Sequence, residues 1–288
     1  MAINWFPGHM HKARKEIKKV MPQMDLIIEV LDARLPFSSE NPLVPALRGN
    51  TPVIKVLNKR DLADPDVTAQ WQSWLEKERG VRAITMTHNQ RGEALDILRL
   101  ATEMTPGHDR QKSALRVMIL GIPNVGKSTL INTLAGRPVA KTGNEPAVTR
   151  AQQAIKLPDN VLLYDTPGFL WPKLSPEACG YRLAISGAIR SAVIEFEDVA
   201  LFAADYILKT YAEQVLTRYG LDERPEDGLA LMDGIAAKRR FFKRGGVPDL
   251  HKVSEILLTE FRSGKLGRMS LETPALIEQE TAEAQATE

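Results

Sequence analysis

Short apolar, β-branched runs recur along the first half of the chain, and each ends in a loop of polar and small residues. Leu26–Leu31 ends at Asp32-Ala33-Arg34, and Val53–Leu57 at Asn58-Lys59-Arg60-Asp61. Arg82–Thr85 ends near Met86-Thr87, Val117–Leu120 at Gly121, and Val161–Tyr164 at Asp165-Thr166-Pro167-Gly168. Such runs predict buried strands of a mostly parallel sheet. Helical stretches, Asp66–Glu78 and Lys127–Leu134 among them, lie between several of the runs. Strands alternating with helices predict a doubly wound α/β domain. Ligands of such sheets bind beyond the strand carboxyl ends, where all of these loops fall.

After about Trp171 the pattern changes. Ser175-Pro176 reads as a helix start, an N-cap followed by proline at the first helical position. Val199, Phe202, Ala203, Tyr206 and Ile207 recur at helical spacing. So do Leu229, Met232, Ile235 and Ala236, and later Val253, Ile256, Leu257 and Phe261. These predict a small all-α domain. Beyond about Pro274 the chain is acidic and Ala/Thr-rich, and disorder is expected there. The expected organisation is a basic N-terminal segment over 1–22, the α/β domain over 23–172, the helical domain over 173–272 and an acidic tail over 273–288.

The 288 residues suit about two domains. With 43% hydrophobic and 26% charged residues, the profile is that of a soluble globular protein. No apolar run is long enough for a membrane helix, and the N-terminus lacks a signal-peptide core, so a cytoplasmic location is expected. Cys179 is the one cysteine, which excludes an internal disulfide and a cysteine-rich zinc site. The net charge of +2 is unevenly spread. Near the start, Lys12, Arg14, Lys15, Lys18 and Lys19 face Glu16 alone. Between Lys238 and Arg268 cations again outnumber Asp249, Glu255 and Glu260. Two basic ends suggest a polyanionic partner, against the plainer reading of solvated helix faces.

Gly121-Ile122-Pro123-Asn124-Val125-Gly126-Lys127-Ser128 matches G-x-x-x-x-G-K-[ST], after a predicted strand and before a predicted helix. Glycines let backbone N–H groups wrap phosphates, and the helix N-terminus favours the anion. Lys127 is expected at the β- and γ-phosphates, and the Ser128 hydroxyl on Mg²⁺. Asn124, Val125, Gly126 and Thr129 complete the phosphate-loop contacts. Asp165, in Asp165-Thr166-Pro167-Gly168, fits the acid that holds Mg²⁺, and the Gly168 N–H fits a γ-phosphate sensor. Thr149 is the candidate for the threonine completing the metal shell, with Thr142 competing.

Asn58-Lys59-Arg60-Asp61 matches N-K-x-D. The Asp61 carboxylate can accept from the ring N–H and exocyclic amine of guanine, donors that adenine does not present there. The Lys59 stem can lie along the base, and Asn58 can tether loops around it. Thr85-Met86-Thr87 takes the place of the S-A-K loop, from which it departs in sequence. The base motif precedes the phosphate motif, the reverse of the order in ordinary small GTPases. The same sheet is therefore expected with its chain circularly permuted. The strand carrying Asp165 then leads straight into the helical domain, which suits a switch.

Trp5-Phe6-Pro7-Gly8-His9-Met10, Asp32-Ala33-Arg34-Leu35-Pro36, the permuted order and Asp165 to Pro172 together resemble the YlqF/RbgA family of circularly permuted GTPases. The resemblance implies GTP hydrolysis stimulated by the pre-ribosomal particle in late assembly of the large ribosomal subunit, with the helical domain on rRNA. Ras-type enzymes orient the attacking water with a glutamine after D-x-x-G; Phe169 stands there and cannot. The resemblance offers His9 as the catalytic group, unless it only anchors the N-terminal segment or touches RNA. In a group of related GTPases, an asparagine at the place of Asn124 helps hold K⁺; the alternative is a loop-shaping residue. Lys238, Arg239, Arg240, Lys243 and Arg244 form the expected RNA patch, with Phe241 and Phe242 assigned to the core. Action on another structured RNA, or in RNA modification, is the alternative function. A membrane signalling GTPase is disfavoured, since no lipidation motif is present.

Overall fold

The computed structural model describes residue 15 and residues 17–87, 90–140, 153–168, 170–171, 174–189 and 194–287. Six strands, β1 (Leu26–Asp32), β2 (Val53–Asn58), β3 (Val81–Thr85), β4 (Leu115–Gly121), β5 (Gln153–Leu157) and β6 (Val161–Asp165), form one sheet in the order β3-β2-β1-β4-β6-β5. All neighbours pair in parallel except β5 with β6. The doubly wound expectation holds. The unanticipated strand is β5. Its Gln-Ala-Ile-Lys-Leu sequence alternates, as suits an edge with a single neighbour, and it is too short to announce itself.

Every residue of β1 and β2 is buried, as expected of central parallel strands covered on both faces. The order reverses beside β1: β2 and β3 lie on one side, β4 and β6 on the other. The carboxyl ends of β1 and β4 therefore flank a switch point, where such sheets open a crevice.

Two short helices, α1 (Pro36–Ser39) and α2 (Leu43–Leu47), follow β1. Helix α3 (Pro65–Leu75) opens on Asp64, whose side chain accepts from the N–H of Asp66 (2.9 Å) and Val67 (3.2 Å), with Pro65 at the first position. It buries Val67, Trp71 and Leu75. Helix α4 (Arg91–Met104) packs against α5 (Lys127–Ala135).

The helical region comprises α6 (Ala178–Ser186), α7 (Phe196–Thr210), α8 (Ala212–Tyr219), α9 (Gly228–Arg239), α10 (Leu250–Arg262) and α11 (Pro274–Thr287). Helix α7 is its centre and packs on α6, α8, α9 and α10. It buries Val199, Ala203 and Ile207, as the spacing predicts. Three expectations need correction. The Ser175–Pro176 bond is cis and α6 begins only at Ala178, so this pair forms the turn before the helix, not its cap. Leu229 is exposed, and Leu231 takes the core position on α9. The acidic tail is helix α11, not disorder. The Thr273 hydroxyl accepts from Leu276 N–H (3.1 Å) at its start, and Ile277 is buried in the apolar cluster around Trp71. Glu280 pairs with buried Arg182, and Trp71 Nε1 donates to the Glu272 carbonyl at 3.0 Å. Acidity argues against a core only while the carboxylates lack partners, and Arg182 supplies one.

Candidate functional site

The Gly121–Ser128 loop leaves β4 and runs into α5, so its backbone N–H groups end at a helix N-terminus. Asn124 (φ 59°) and Gly126 (φ 98°) are both left-handed. A Cβ on Gly126 would collide with the Asn58 side-chain amide, so only glycine fits there. Asn58, buried at the end of β2, donates from Nδ2 to the Val125 carbonyl at 2.7 Å. That bond stitches the N-K-R-D loop to the phosphate-type loop. Ser128 and Thr129 lie half-buried in the first turn of α5.

Asp165 ends β6 and forms an ion pair with Lys127, both of them buried. Burial raises the Asp165 carboxyl and lowers the Lys127 ammonium, and each offsets the shift of the other. Thr166 Oγ1 donates to the Ile119 carbonyl at 2.8 Å, which fixes the exit of the strand. Gly168 lies beside Pro123 of the first loop. A hydroxyl and a carboxylate at a helix N-terminus are hard oxygen donors, a set that fits Mg²⁺, which keeps several waters. Among the described residues, no group of three or more His, Cys, Asp or Glu forms a separate metal cluster.

In the N-K-R-D loop, Lys59 (φ 61°) bonds Asp32 Oδ2 at 2.8 Å. Asp32 also takes a two-pronged contact from buried Arg34, at 2.9 and 2.8 Å. Burial alone would raise the Asp32 carboxyl, but Arg34 and then Lys59 hold it well below the usual carboxylate range. Arg60 donates to Thr85 Oγ1 (3.2 Å) and Glu93 Oε1 (2.6 Å), and its N–H meets the Met86 carbonyl (3.1 Å). Thr87 N–H donates to Glu93 Oε2 at 2.7 Å. The expected base loop and the Thr85–Met86–Thr87 loop are thus adjacent and mutually bonded. Asp61 is exposed on a short 3-10 turn, Arg60–Leu62, so the expected selectivity from a buried carboxylate needs a base to cover it.

Sequence reasoning missed the partners that the helical region supplies. Asn124 Nδ2 donates to the Gly187 carbonyl just past α6, at 2.8 Å. Arg262 caps the same helix end, donating to Ile185 O (2.8 Å) and Ala184 O (2.9 Å). Positive-φ glycines at 187, 264 and 267 are the signal that tight turns occur there. His9, Thr142, Thr149, Phe169 and Pro172 lie outside the described residues.

The basic segment folds as a small hairpin. Phe242 bridges Pro248, Lys243 N–H meets Val247 O (2.8 Å), and Gly245 and Gly246 turn the chain. Arg240, Lys243 and Arg244 are exposed. Lys238 pairs with Asp222 at 2.9 Å, and Arg239 lies over the Tyr219 ring. Phe241 is half-buried against the core, but Phe242 is 46% exposed, which corrects its assignment to the core; the hairpin carries it past the last helix contacts. Cys179 is buried, and burial pushes its thiol up to about 11, away from the thiolate form. Among the described residues, no helix is long and apolar enough to cross a membrane.

A family model described as "50S ribosome-binding GTPase" matches residues 116–227. The chain is 44% identical over 282 residues to "Ribosome biogenesis GTPase A" of Bacillus cereus, covering 95% of each protein. It is 42% identical to the Priestia megaterium protein of the same name, over 97% of this chain and 99% of that one. Among solved structures, a GNP-bound YlqF from T. maritima matches with TM-score 0.63 and 30% identity, over 91% of this chain and 98% of that one. A GDP-bound YlqF matches with the same TM-score and identity, over 90% and 99%.

Proposed function

Because the chain belongs to the YlqF/RbgA family of circularly permuted GTPases and is a GTP-hydrolysing P-loop enzyme, we propose that it is a nucleotide-controlled switch in late assembly of the large ribosomal subunit. It binds the pre-ribosomal particle and its rRNA with GTP, and leaves after hydrolysis. The observation that carries this reading is the Asn124–Gly187 hydrogen bond at 2.8 Å. It joins the loop that meets the phosphates to the region carrying the basic hairpin, so a change at one is felt at the other.

The proposed residue roles are those the motifs imply. Lys127 turns from Asp165 to the β- and γ-phosphates when they arrive. Asp165, relieved of Lys127, and the Ser128 hydroxyl would hold Mg²⁺, with Thr149 completing the set. Bound Mg²⁺ neutralises phosphate charge. Asp61 reads guanine, Lys59 flanks the base, and the Thr85–Thr87 backbone meets the guanine carbonyl. The Gly168 N–H senses the γ-phosphate. His9 orients the attacking water, the role that Phe169 cannot fill. In the K⁺ reading of Asn124 the amide oxygen would help hold the ion while the amide nitrogen keeps Gly187, and comparison of hydrolysis in KCl and NaCl tests it. On the hairpin, Arg240, Lys243 and Arg244 meet RNA phosphates and exposed Phe242 stacks on an unpaired base, with Lys238 and Arg239 at the margin.

Co-sedimentation with purified large subunits, in a non-hydrolysable GTP analogue and in GDP, is the test. Analogue-dependent binding with subunit-stimulated hydrolysis is expected. Absence of binding in both states would remove the ribosome from the proposal. His9→Ala is expected to lower stimulated turnover with GTP affinity nearly unchanged.

A further inference from the structure

The loop that carries Asp61 is held from the far end of the chain. Met269 N–H donates to the Leu62 carbonyl at 3.0 Å. Arg268 donates from Nε to the Ala63 carbonyl at 3.0 Å and from Nη2 to the Arg60 carbonyl at 3.3 Å. Asp64 N–H donates to Ser270 Oγ at 3.2 Å. The Tyr211 hydroxyl donates to Asp64 Oδ2 at 3.2 Å and accepts from Ser270 N–H at 3.0 Å. One residue further on, Leu271 N–H donates to the Arg34 carbonyl at 2.7 Å, and the Arg34 guanidinium lies 4.9 Å above the Phe261 ring. A Cβ on Gly264 (φ 74°) would stand 2.7 Å from a Leu62 methyl, so this stretch lies directly against the loop.

These bonds take up the carbonyls of Arg60, Leu62 and Ala63 and the N–H and Oδ2 of Asp64. A 3-10 turn as short as Arg60–Leu62 does not fix its own direction, because few of its hydrogen bonds are internal. The direction of the turn sets the direction of Asp61. Two acceptor contacts to a flat base tolerate little angular error. Arg268 closes the cationic stretch that begins at Lys238, and its side chain ends on the carbonyls of this turn.

We infer that residues 264–271 splint the base-reading loop, and that Arg268 is the positioning residue through which the helical region sets guanine specificity. The inference rests on the proposed reading of Asp61. Arg268 touches the loop backbone and acts on the base through it. Its loss weakens recognition of the base, while the phosphate contacts from Gly121 to Ser128 remain.

The test uses the free full-length protein, without ribosomes. Steady-state hydrolysis is measured with GTP and with inosine triphosphate, which lacks the exocyclic amine that Asp61 accepts from. Arg268→Ala is expected to raise KM for GTP roughly tenfold with kcat unchanged, and to narrow the preference for GTP over the inosine nucleotide. Arg268→Lys should recover part of that preference. Tyr211→Phe, which removes a single hydroxyl, should move KM in the same direction by about threefold, and carries the test if Arg268→Ala does not fold. An unchanged preference in the variants, or an equal loss of affinity for inorganic triphosphate, overturns the splint. Asp61→Asn should favour xanthosine triphosphate, whose 2-oxo group accepts where guanine donates. Failure of that control alone would overturn the reading of Asp61, and subunit binding is untouched by any of these outcomes.

Discussion

At one end of the nucleotide crevice, the Asn58–Asp64 loop is held from outside the sheet by Arg268, Met269, Ser270 and Tyr211. At the other, the Gly121–Ser128 loop is shaped by its own left-handed turns and by the Lys127–Asp165 ion pair, with Asn124 reaching out to Gly187. The difference suits the chemistry proposed for each end. A base is uncharged and read by direction, so its reader must be aimed beforehand. A phosphate is read by charge and by many N–H groups, and an ion pair can exchange partners when it arrives.

The largest expected effect is at the charged end. Lys127→Ala should lower kcat for GTP by at least about 100-fold, measured in single turnover. If the loss were confined to KM, the lysine would serve binding only and the contrast between the ends would fail. Asn58→Ala cuts the bond between the two loops and should cost about 1–2 kcal/mol of stability in urea unfolding. It should also weaken affinity for both GTP and inorganic triphosphate, unlike Arg268→Ala. An effect on GTP alone would place Asn58 wholly at the base end.

A third test concerns the strand beneath both ends. Glu29, in the centre of β1, is fully buried, and burial pushes its carboxyl up to about 8, with Glu40 adding to the shift and Lys55 opposing it. In the unfolded chain it titrates near the usual glutamate value of about 4.3. Between these values the folded state keeps a proton that the unfolded state has lost, so this group's contribution to stability falls as pH rises from about 4.3 to about 8. Glu29→Gln should flatten that part of the melting-temperature profile, and an identical profile would show that the proton is not held. The smallest effect belongs to the hairpin. Phe242→Ala should change stability by less than about 0.5 kcal/mol, because the ring is exposed, while weakening RNA retention.

The strands that bear the motifs were legible because buried parallel strands read as unbroken apolar runs, as Leu26–Leu31 and Val53–Leu57 do. The two motif segments were legible as loops at strand ends because their sequence patterns are local. The edge strand β5, the helix α11 and the position of Phe242 were not. Each depends on a neighbour far away in sequence: β6 for β5, Arg182 and the cluster around Trp71 for α11, and the end of the helix core for Phe242. The contacts of Arg268 were not legible for the same reason. An arginine in a cationic stretch carries no sign of the carbonyls it will meet.

Arg268 and Arg60 are 208 positions apart. While the chain is being made, the base loop leaves the ribosome early, yet its last supports follow roughly 10–40 s later at usual elongation rates. Until then the loop around Asp61 is held only from the Asp32, Thr85–Met86 and Glu93 side. On the proposed splint, a chain lacking residues 264–271 would still hold phosphates through Lys127 but choose less well among bases. The proposed splint thereby ties base selectivity to the presence of residues 264–271 and not to the sheet alone.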